Sequence, residues 1–218
     1  MRVTFDGEVV VDLEPVFGYL NRGTEKLAEE RSYVQIVTLT DRLDYETSMT
    51  NNLAYVRAVE KLADIRVPER AQYLRVIASE LQRIASHLIT IGFMLQEMGA
   101  FVTVLMYCFR ERERVLDMFE MLCGARLLYN YIWIGGVSHD FPIGWVEKTY
   151  EFLDYFEPKI SEYNELLTYN KIFIERTADV GVITPEVAIS YGVTGPNLRG
   201  SGTVSYTHLR AHETEADL

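Results

Sequence analysis

The chain has 218 residues, a formal charge of −11 at pH 7 and 48% apolar residues. This length and composition allow a buried core in one domain or in two closely packed domains. The acidic balance excludes a nucleic-acid partner, which would require a clustered basic face. Its two cysteines, Cys108 and Cys123, form no CxxC pair, so they predict neither a zinc site nor an iron-sulfur site and are typical of inert core residues.

The first residues predict a β-hairpin and a short helix. Residues 3–13 alternate in polarity around Asp6-Gly7, a dipeptide that a type I′ turn favours because both of its central residues need a positive φ. They lack the basic and apolar regions of a signal peptide. Thr24 is the candidate cap of a short helix within residues 21–31.

The segment from 41 to 55 concentrates polar side chains between apolar runs. It holds an arginine, three carboxylates, two phenols and two amides, and it leads into a helical pattern. Two interpretations remain open from composition alone: a functional site, or a helix start that Asp41 or Asp44 caps. For Tyr45 the choice is likewise between a site residue and a core tyrosine.

Two long helices are predicted after this segment. Pro68 begins the first, which carries a buried seam at spacings of three and four: Leu74, Ile77, Leu81, Ile84, Leu88, Ile91 and Leu95. Gln82 is predicted to lie off the seam, and His87 beside it is typical of a hydrogen-bonded structural group rather than a ligand. The second helix is predicted from 103 to 122, and the alternating charges of residues 110–114 predict a solvated or subunit-facing surface.

The apolar stretch from Leu88 to Phe109 is long enough to raise the question of a membrane span. Gln96, Glu97 and Gly99 lie in its middle, and a carboxylate there would cost roughly several kcal/mol in a bilayer. The sequence therefore predicts two buried helices that meet at a turn, in a soluble subunit.

The rest of the chain predicts shorter elements. Residues 125–142 predict a short helix and a loop, residues 144–177 a helix that Pro158 breaks or kinks, residues 184–191 a helix that Thr184 begins, and residues 194–202 a loop. From 203 to 218 the periodicity is lost. This tail resembles translated adapter or vector sequence, so His208 and His212 are excluded from any site.

Several motifs occur in an order that resembles a known family: Arg22-Gly-Thr-Glu-Lys-Leu, Asp41-Arg-Leu-Asp-Tyr45, Ile84-Ala-Ser-His-Leu88, Phe109-Arg-Glu-Arg-Glu, Gly124-Ala-Arg, Ile134-Gly-Gly-Val and Val193-Thr-Gly-Pro. The family is the quinone-site subunit of respiratory complex I, known as its D-type, C/D-type or 49 kDa subunit, which is related to nickel-iron hydrogenase large subunits. The resemblance covers about residues 5–202. It implies a mainly α fold, a helical bundle with a small N-terminal β-hairpin, like a hydrogenase large subunit.

The resemblance also implies a domain order and site residues. Residues 1–20 would form the hairpin and connector, 21–202 the helical quinone-site domain, and 203–218 the appended tail. Tyr45 matches the tyrosine that hydrogen-bonds the quinone headgroup in the family. Arg22 and Arg42 match arginines beside the terminal iron-sulfur cluster of a neighbouring subunit, where a fixed cation raises the cluster potential. From the residues alone, Arg22 and Glu25 would be a surface ion pair.

Three positions differ from the family pattern, and at the first of them Asn21 replaces a common histidine before Arg22. Glu97 stands where the family has an aspartate, and if it were buried near the quinone its pKa would rise and it could relay a proton. Leu128 replaces a histidine found beside the cluster in many members, which favours a lower cluster potential and a menaquinone-type acceptor. The family's first loop, with its quinone-binding histidine, and its C-terminal portion have no counterpart, which implies a fragment that is not active alone.

The function implied by the resemblance is that of a subunit of a proton-translocating NADH:quinone oxidoreductase. The chain would hold no metal or covalent cofactor, while partner subunits would carry FMN and the iron-sulfur clusters. The implied partners are the cluster-bearing B-type subunit, the C-type subunit and a membrane subunit at the quinone entrance, on the cytoplasmic face of the plasma membrane. The alternatives are a membrane-bound hydrogenase-like large subunit, whose nickel would need paired CxxC thiolates, and a non-catalytic helical scaffold.

Overall fold

The computed structural model describes residues 1–99 and 101–203, and it confirms a mainly helical fold with a small N-terminal β-hairpin. The chain divides into two compact units, Met1–Tyr163 and a second that begins at Asn164. The predicted tail from 204 onward lies outside the described residues. The likeness to a hydrogenase large subunit stays an expectation.

The N-terminal hairpin pairs β1 (Arg2–Asp6) with β2 (Val9–Glu14) in antiparallel register. Asp6 pairs with Val9, so the two loop residues are Gly7 and Glu8 and only Gly7 has a positive φ, 64°. The predicted type I′ turn centred on Asp6-Gly7 is therefore wrong by one residue. A bulge between Thr4 and Phe5 shifts the register within the hairpin.

Helices account for most of the first unit. Their bounds are α1 Thr24–Glu29, α2 Tyr33–Thr40, a 3-10 turn at Tyr45–Thr47, α3 Ser48–Ala63, α4 Glu69–Glu97, α5 Phe101–Cys123 and α6 Trp145–Tyr163. Gly23, rather than Thr24, occupies the N-cap position of α1. A second small hairpin pairs β3 (Ile132–Trp133) with β4 (Gly136–Val137).

Helices α4 and α5 pack side by side as an αα-hairpin because only a short turn joins them. Gly99 has a φ of 85° in that turn, which favours glycine. Gly92 permits close packing, since a Cβ there would lie 2.9 Å from the Leu105 side chain. The predicted two helices meeting at a turn are confirmed, and none of the helices described has an apolar run sufficient to cross a bilayer.

The buried face of α4 is broader and more polar than its leucine seam predicts. Leu74, Leu81, Leu88 and Leu95 are buried, as predicted, but Ile77 and Ile91 are 38% and 43% exposed. Arg75 and Gln82 are buried instead, so the prediction that Gln82 lies off the seam is wrong. The exposed His87 is bonded to none of the described residues.

The core of the first unit gathers large side chains from α5, β3 and α6. Phe119, Tyr131, Ile132 and Trp145 have almost no exposed surface. The Trp145 indole N–H donates to the Met118 carbonyl oxygen at 2.8 Å, which satisfies the polar atom of a buried ring.

Two further predictions for this unit hold only in part. Arg110, Glu113 and Arg114 are exposed, as predicted for a charged surface. Glu111 and Arg112 are buried within the charged run 110–114, because this part of α5 faces neighbouring elements. Residues 125–142 form no helix in the described structure. Gly124, Leu128 and Asn130 all have positive φ values, which a right-handed helix does not permit, and the small β3–β4 hairpin follows them.

The second unit contains short helical elements. These are a π-helical turn at Asn164–Thr168, α7 Lys171–Thr177, α8 Pro185–Ser190 and α9 Gly195–Gly200. The Thr184 hydroxyl accepts the Val187 N–H, which confirms the predicted start of α8. The predicted loop at 194–202 instead contains α9.

Pro158 lies inside α6, which continues to Tyr163, so it does not break that helix.

Candidate functional site

The polar segment from 41 to 55 connects α2 to α3 through the 3-10 turn. Asp44 caps this turn, since its carboxylate accepts the Glu46 N–H at 3.2 Å and the Thr47 hydroxyl at 2.7 Å. The Asn51 amide donates to the Asp44 carbonyl oxygen at 2.9 Å. Asp44, and not Asp41, is therefore the residue that caps the start of this helical segment.

Gln82 fixes the beginning of α3 against α4. Its side-chain oxygen accepts the Met49 N–H at 2.6 Å, and its amide donates to the Ser48 hydroxyl at 3.1 Å. All three groups are buried. Sequence reasoning missed this contact, although Arg75 and Gln82 recur with Ala78 and Ala85 at helical spacing and so indicate a second buried stripe.

Tyr45 opens the 3-10 turn and is 55% exposed, so the alternative of a core tyrosine is wrong. Its hydroxyl group is bonded to none of the described residues. The next residue, Glu46, forms an ion pair with Arg112 of α5 at 3.0 Å, and both side chains are largely buried. The largely buried Glu46–Arg112 ion pair thus anchors the 3-10 turn, while the side chain of Tyr45, its first residue, is partly exposed to solvent.

Arg22 and Arg42 lie together beside this turn. The Arg22 guanidinium donates to the Arg42 carbonyl oxygen, so Arg22 is not engaged in the surface pair with Glu25 that its sequence context suggests. The Arg42 guanidinium donates to the Thr38 carbonyl oxygen at 2.6 Å and lies 4.0 Å from Asp41 Oδ2. About half of the Arg42 side chain is exposed. The structure therefore places Arg22 in contact with Arg42, which precedes Tyr45 by three residues.

Asp41 is a buried carboxyl group at the end of α2. Its Oδ1 accepts the Asn52 amide at 3.2 Å, whereas its Oδ2 has no hydrogen-bond partner. Burial raises the pKa of Asp41, and the nearby Asn130 N–H and the Arg42 charge oppose that rise only in part. The sequence prediction treated Asp41 as a candidate cap, because its burial depends on contacts with residues far along the chain.

The segment after α5 covers Asp41. Leu128 and Asn130 have φ values of 56° and 48°, which are unfavourable for side-chain-bearing residues and indicate that surrounding contacts fix this backbone. Burial raises the pKa values of the neighbouring Cys123 thiol and Tyr129 hydroxyl, so both groups are neutral near pH 7. Leu128, the predicted replacement for a histidine, thus lies in a strained segment beside this carboxyl group.

Glu97 is the last residue of α4 and is exposed. It lies about 22 Å along the helix axis from Gln82 at the standard rise per residue. It forms no hydrogen bond or ion pair with the Arg22, Arg42 and Tyr45 group among the described residues. The structure leaves its carboxyl group exposed, whereas the predicted proton relay assumed burial, and its role stays a prediction.

A second buried carboxylate, Glu60 of α3, has a very different setting. Its two oxygens accept the Arg75 guanidinium at 2.5 and 3.1 Å, and the Gly135 N–H donates to it at 2.8 Å. Arg75 also donates to the carbonyl oxygens of Gly136 and Trp133. Burial alone would raise the pKa of Glu60, but these hydrogen bonds and the nearby arginine charges lower it.

Glu60 and Arg75 line an open cleft of about 580 Å³, together with Arg57 and Arg66. The Glu60–Arg75 pair joins α3, α4 and the β3–β4 hairpin, which makes it a structural connection.

Within residues 1–99 and 101–203 no three His, Cys, Asp or Glu side chains are grouped as metal ligands. The described residues therefore do not fit a metal held by this chain alone.

Comparisons with known proteins agree on one family. A family model described as respiratory-chain NADH dehydrogenase, 49 Kd subunit, matches residues 97–213. This range runs into the segment from 203 to 218, whose assignment as appended sequence stays a prediction. The chain is 53% identical over 208 residues to the D-type subunit of NADH-quinone oxidoreductase from Prosthecochloris aestuarii, covering 95% of this chain and 51% of the relative.

Similar values are found for the same subunit from other bacteria. The relative from Dehalococcoides mccartyi strain 195 is 54% identical, covering 93% of this chain and 55% of the relative. The relative from Clostridium beijerinckii is 52% identical, covering 91% of this chain and 54% of the relative. The chain spans about half the length of the curated relatives it matches.

Proposed function

Because the chain belongs to the family of the 49 Kd subunit of respiratory-chain NADH dehydrogenase, we propose that it forms part of the quinone site of a proton-translocating NADH:quinone oxidoreductase. One observation carries this proposal: the half-exposed Tyr45 side chain lies on an anchored turn beside two arginines. The whole enzyme would comprise further subunits.

Tyr45 is the proposed hydrogen-bond donor to the quinone headgroup. A phenol hydroxyl is a hydrogen-bond donor, so Tyr45 can donate to a quinone carbonyl oxygen. Asp44, Asn51 and the Glu46–Arg112 pair restrain the turn, which limits the entropy lost when a ligand binds. In this proposal the turn provides orientation and Tyr45 provides the polar contact.

Arg22 and Arg42 are the proposed electrostatic groups of the site. A partner of the B type would bring an iron-sulfur cluster that supplies electrons one at a time. Arg42 is tied to the end of α2 and to Arg22, so its charge has a fixed position near the exposed surface. A fixed cation there stabilises negative charge on a reduced acceptor.

The proposed setting is a peripheral arm on the cytoplasmic face of the membrane. The B-type and C-type subunits would contact this chain, a membrane subunit would adjoin the quinone entrance, and FMN would lie in another subunit. Glu97 is the proposed proton relay of the site. Since its carboxylate is exposed in this chain, we expect that role only where partner subunits cover the end of α4.

The test is a Tyr45→Phe substitution in the full-length protein within the intact complex. We expect a roughly 10- to 100-fold loss of quinone-linked NADH oxidation, because one hydrogen bond to the headgroup is lost while the ring remains. Tyr73→Phe is the matched control, since Tyr73 is 64% exposed on α4 and outside the 3-10 turn. It should retain full activity.

Two outcomes would contradict the proposal. Unchanged quinone reduction in the Tyr45→Phe complex would favour a scaffold role. Native complexes that contain nickel and show hydrogen-dependent activity, rather than iron, flavin and NADH-dependent activity, would favour a hydrogenase-like subunit. Both measurements can be made on the same native gel band.

A further inference from the structure

One oxygen of the buried Asp41 carboxyl group has no hydrogen-bond partner among the described residues. Asp41 has no exposed surface. Asn52 donates to Oδ1, and the nearby Asn130 N–H and Ser48 side chain also oppose the rise in its pKa, but Oδ2 has no partner. Most buried polar atoms are hydrogen-bonded, so an unpartnered carboxylate oxygen needs an explanation. A proton on Oδ2 would remove the charge and convert an unsatisfied acceptor into a donor.

A second buried oxygen without a donor lies in the same region. Asn130, whose backbone N–H is close to Asp41, has a buried side-chain oxygen with no hydrogen-bond partner. Each of these two oxygens thus lies on a segment that contacts the other through the Asn130 N–H. Protonation of Asp41 would provide a donor on its own Oδ2.

The groups that face Asp41 are neutral, with one exception. Helix α3 contributes Ser48 and Asn52, α5 contributes the Cys123 thiol, and the following segment contributes the Tyr129 hydroxyl. Arg42 is the charged group, with its guanidinium 4.0 Å from Oδ2 and half of its side chain exposed. The charge of Asp41 is therefore coupled most directly to Arg42.

We propose that Asp41 is a redox-linked proton-binding residue that regulates the positive charge presented by Arg42. Ionised Asp41 offsets the guanidinium charge, and protonated Asp41 leaves the cation uncompensated. When the iron-sulfur cluster that the proposed function brings to the exposed side of Arg42 accepts one electron from the preceding carrier of the complex, Asp41 would take one proton from solvent, and no covalent bond would change other than that O–H bond. The identity of the acceptor rests on the proposed function, whereas the proton site does not.

The proton site is tested by infrared titration of the full chain. A protonated buried carboxyl group has a C=O stretching band distinct from that of carboxylates, and in the native protein we expect it to persist above the ordinary carboxyl pKa of about 4. Asp41→Asn should abolish the band. Asp154→Asn, which changes an exposed carboxylate of α6 outside the candidate site, should retain it. Absence of the band from the native protein, or its survival in Asp41→Asn, would overturn the proposal.

Arg42→Gln keeps the test decisive if Asp41→Asn does not fold. Removing the cation should raise the midpoint of the band's titration by about 0.5 to 1 pH unit, as expected for a charge at this distance in a wet environment. Arg83→Gln, an exposed change on α4, should leave the midpoint unchanged. An equal shift in both variants would contradict the coupling.

The redox part is tested in the intact complex. The midpoint potential of the adjacent cluster, followed by electron paramagnetic resonance, should depend less on pH with Asp41→Asn than with Asp154→Asn. An unchanged pH dependence would overturn redox coupling. This outcome differs from failure of the proposed function, which Tyr45→Phe would reveal through retained quinone reduction.

Discussion

Glu60 and Asp41 are both buried carboxyl groups of the first unit, yet their surroundings shift their pKa values in opposite directions. Both oxygens of Glu60 are hydrogen-bonded, mainly by Arg75, so it is ionised and links three elements. One oxygen of Asp41 has no partner, and its nearest cation is 4.0 Å away and half exposed. The comparison indicates that complete pairing marks a structural carboxylate and incomplete pairing a group suited to exchange protons.

The largest effect is expected from breaking the complete pair. Arg75→Met should lower the free energy of unfolding by about 3–5 kcal/mol, because Glu60 would remain buried without its cation. Denaturant unfolding of the chain measures this loss. Arg83→Met, in an exposed pair with Glu80, should cost less than about 1 kcal/mol. Similar losses in the two variants would show that burial of the pair is not decisive.

Loss of the Gln82 amide, which fixes the beginning of α3, should have an intermediate effect. Gln82→Leu leaves the buried Met49 N–H without an acceptor, so we expect a loss of about 1–3 kcal/mol in the free energy of unfolding. Gln72→Leu is the matched control, since the side chain of Gln72 bonds only the Val67 carbonyl oxygen. A loss in the control as large as that in Gln82→Leu would contradict a special role for Gln82.

The two carboxyl groups should give opposite dependences of stability on pH. The pKa of Glu60 is lowered in the folded chain, so its contribution is present above the unfolded pKa and lost as pH falls through the folded pKa. The pKa of Asp41 is raised, so its contribution is present below the unfolded pKa and lost as pH rises through the folded pKa.

Unfolding measurements at several pH values test this contrast. The loss in the free energy of unfolding that Glu60→Gln causes, relative to the native chain, should become smaller as the pH falls. The free energy of unfolding of Asp41→Asn, relative to that of the native chain, should increase as the pH rises from about 3 to 7. Parallel curves for the two variants would contradict the comparison.

An exposed pair provides the smallest expected effect. Lys26 and Glu29 of α1 lie 2.9 Å apart with most of both side chains in solvent. Lys26→Met should change the free energy of unfolding by less than about 0.5 kcal/mol, and added salt should reduce even that. A change above about 1 kcal/mol would mean that exposure is a poor guide to the value of these pairs.

Local patterns predicted much of this fold but little of its polar interior. The Pro68 start of α4, the leucine seam and the Thr184 cap are properties of neighbouring residues, and all three are confirmed. The burial of Arg75 and Gln82 depends on partners 15 to 61 residues away, which a helical period does not specify. The left-handed backbone at Leu128 and Asn130 has no strong local signal either, so a helix was predicted there.

The candidate site shows the same limit. Order of motifs was enough to single out Arg22, Arg42 and Tyr45, and the structure places the two arginines together beside the turn. The motif did not reveal which of its two aspartates is buried. That distinction depends on Asn52, one helix later, and on the segment after α5.

The αα-hairpin of α4 and α5 has a consequence for the order of folding. Its contacts are local, because a short turn joins the two helices. By contrast, the bond that fixes the 3-10 turn spans 66 residues to Arg112, and the bond that fixes the start of α3 spans 33 residues to Gln82. Local contacts form with less loss of chain entropy than distant ones. We therefore expect the helical hairpin to form early and the Tyr45 turn to acquire its geometry late, which makes the turn a sensitive reporter of incomplete folding.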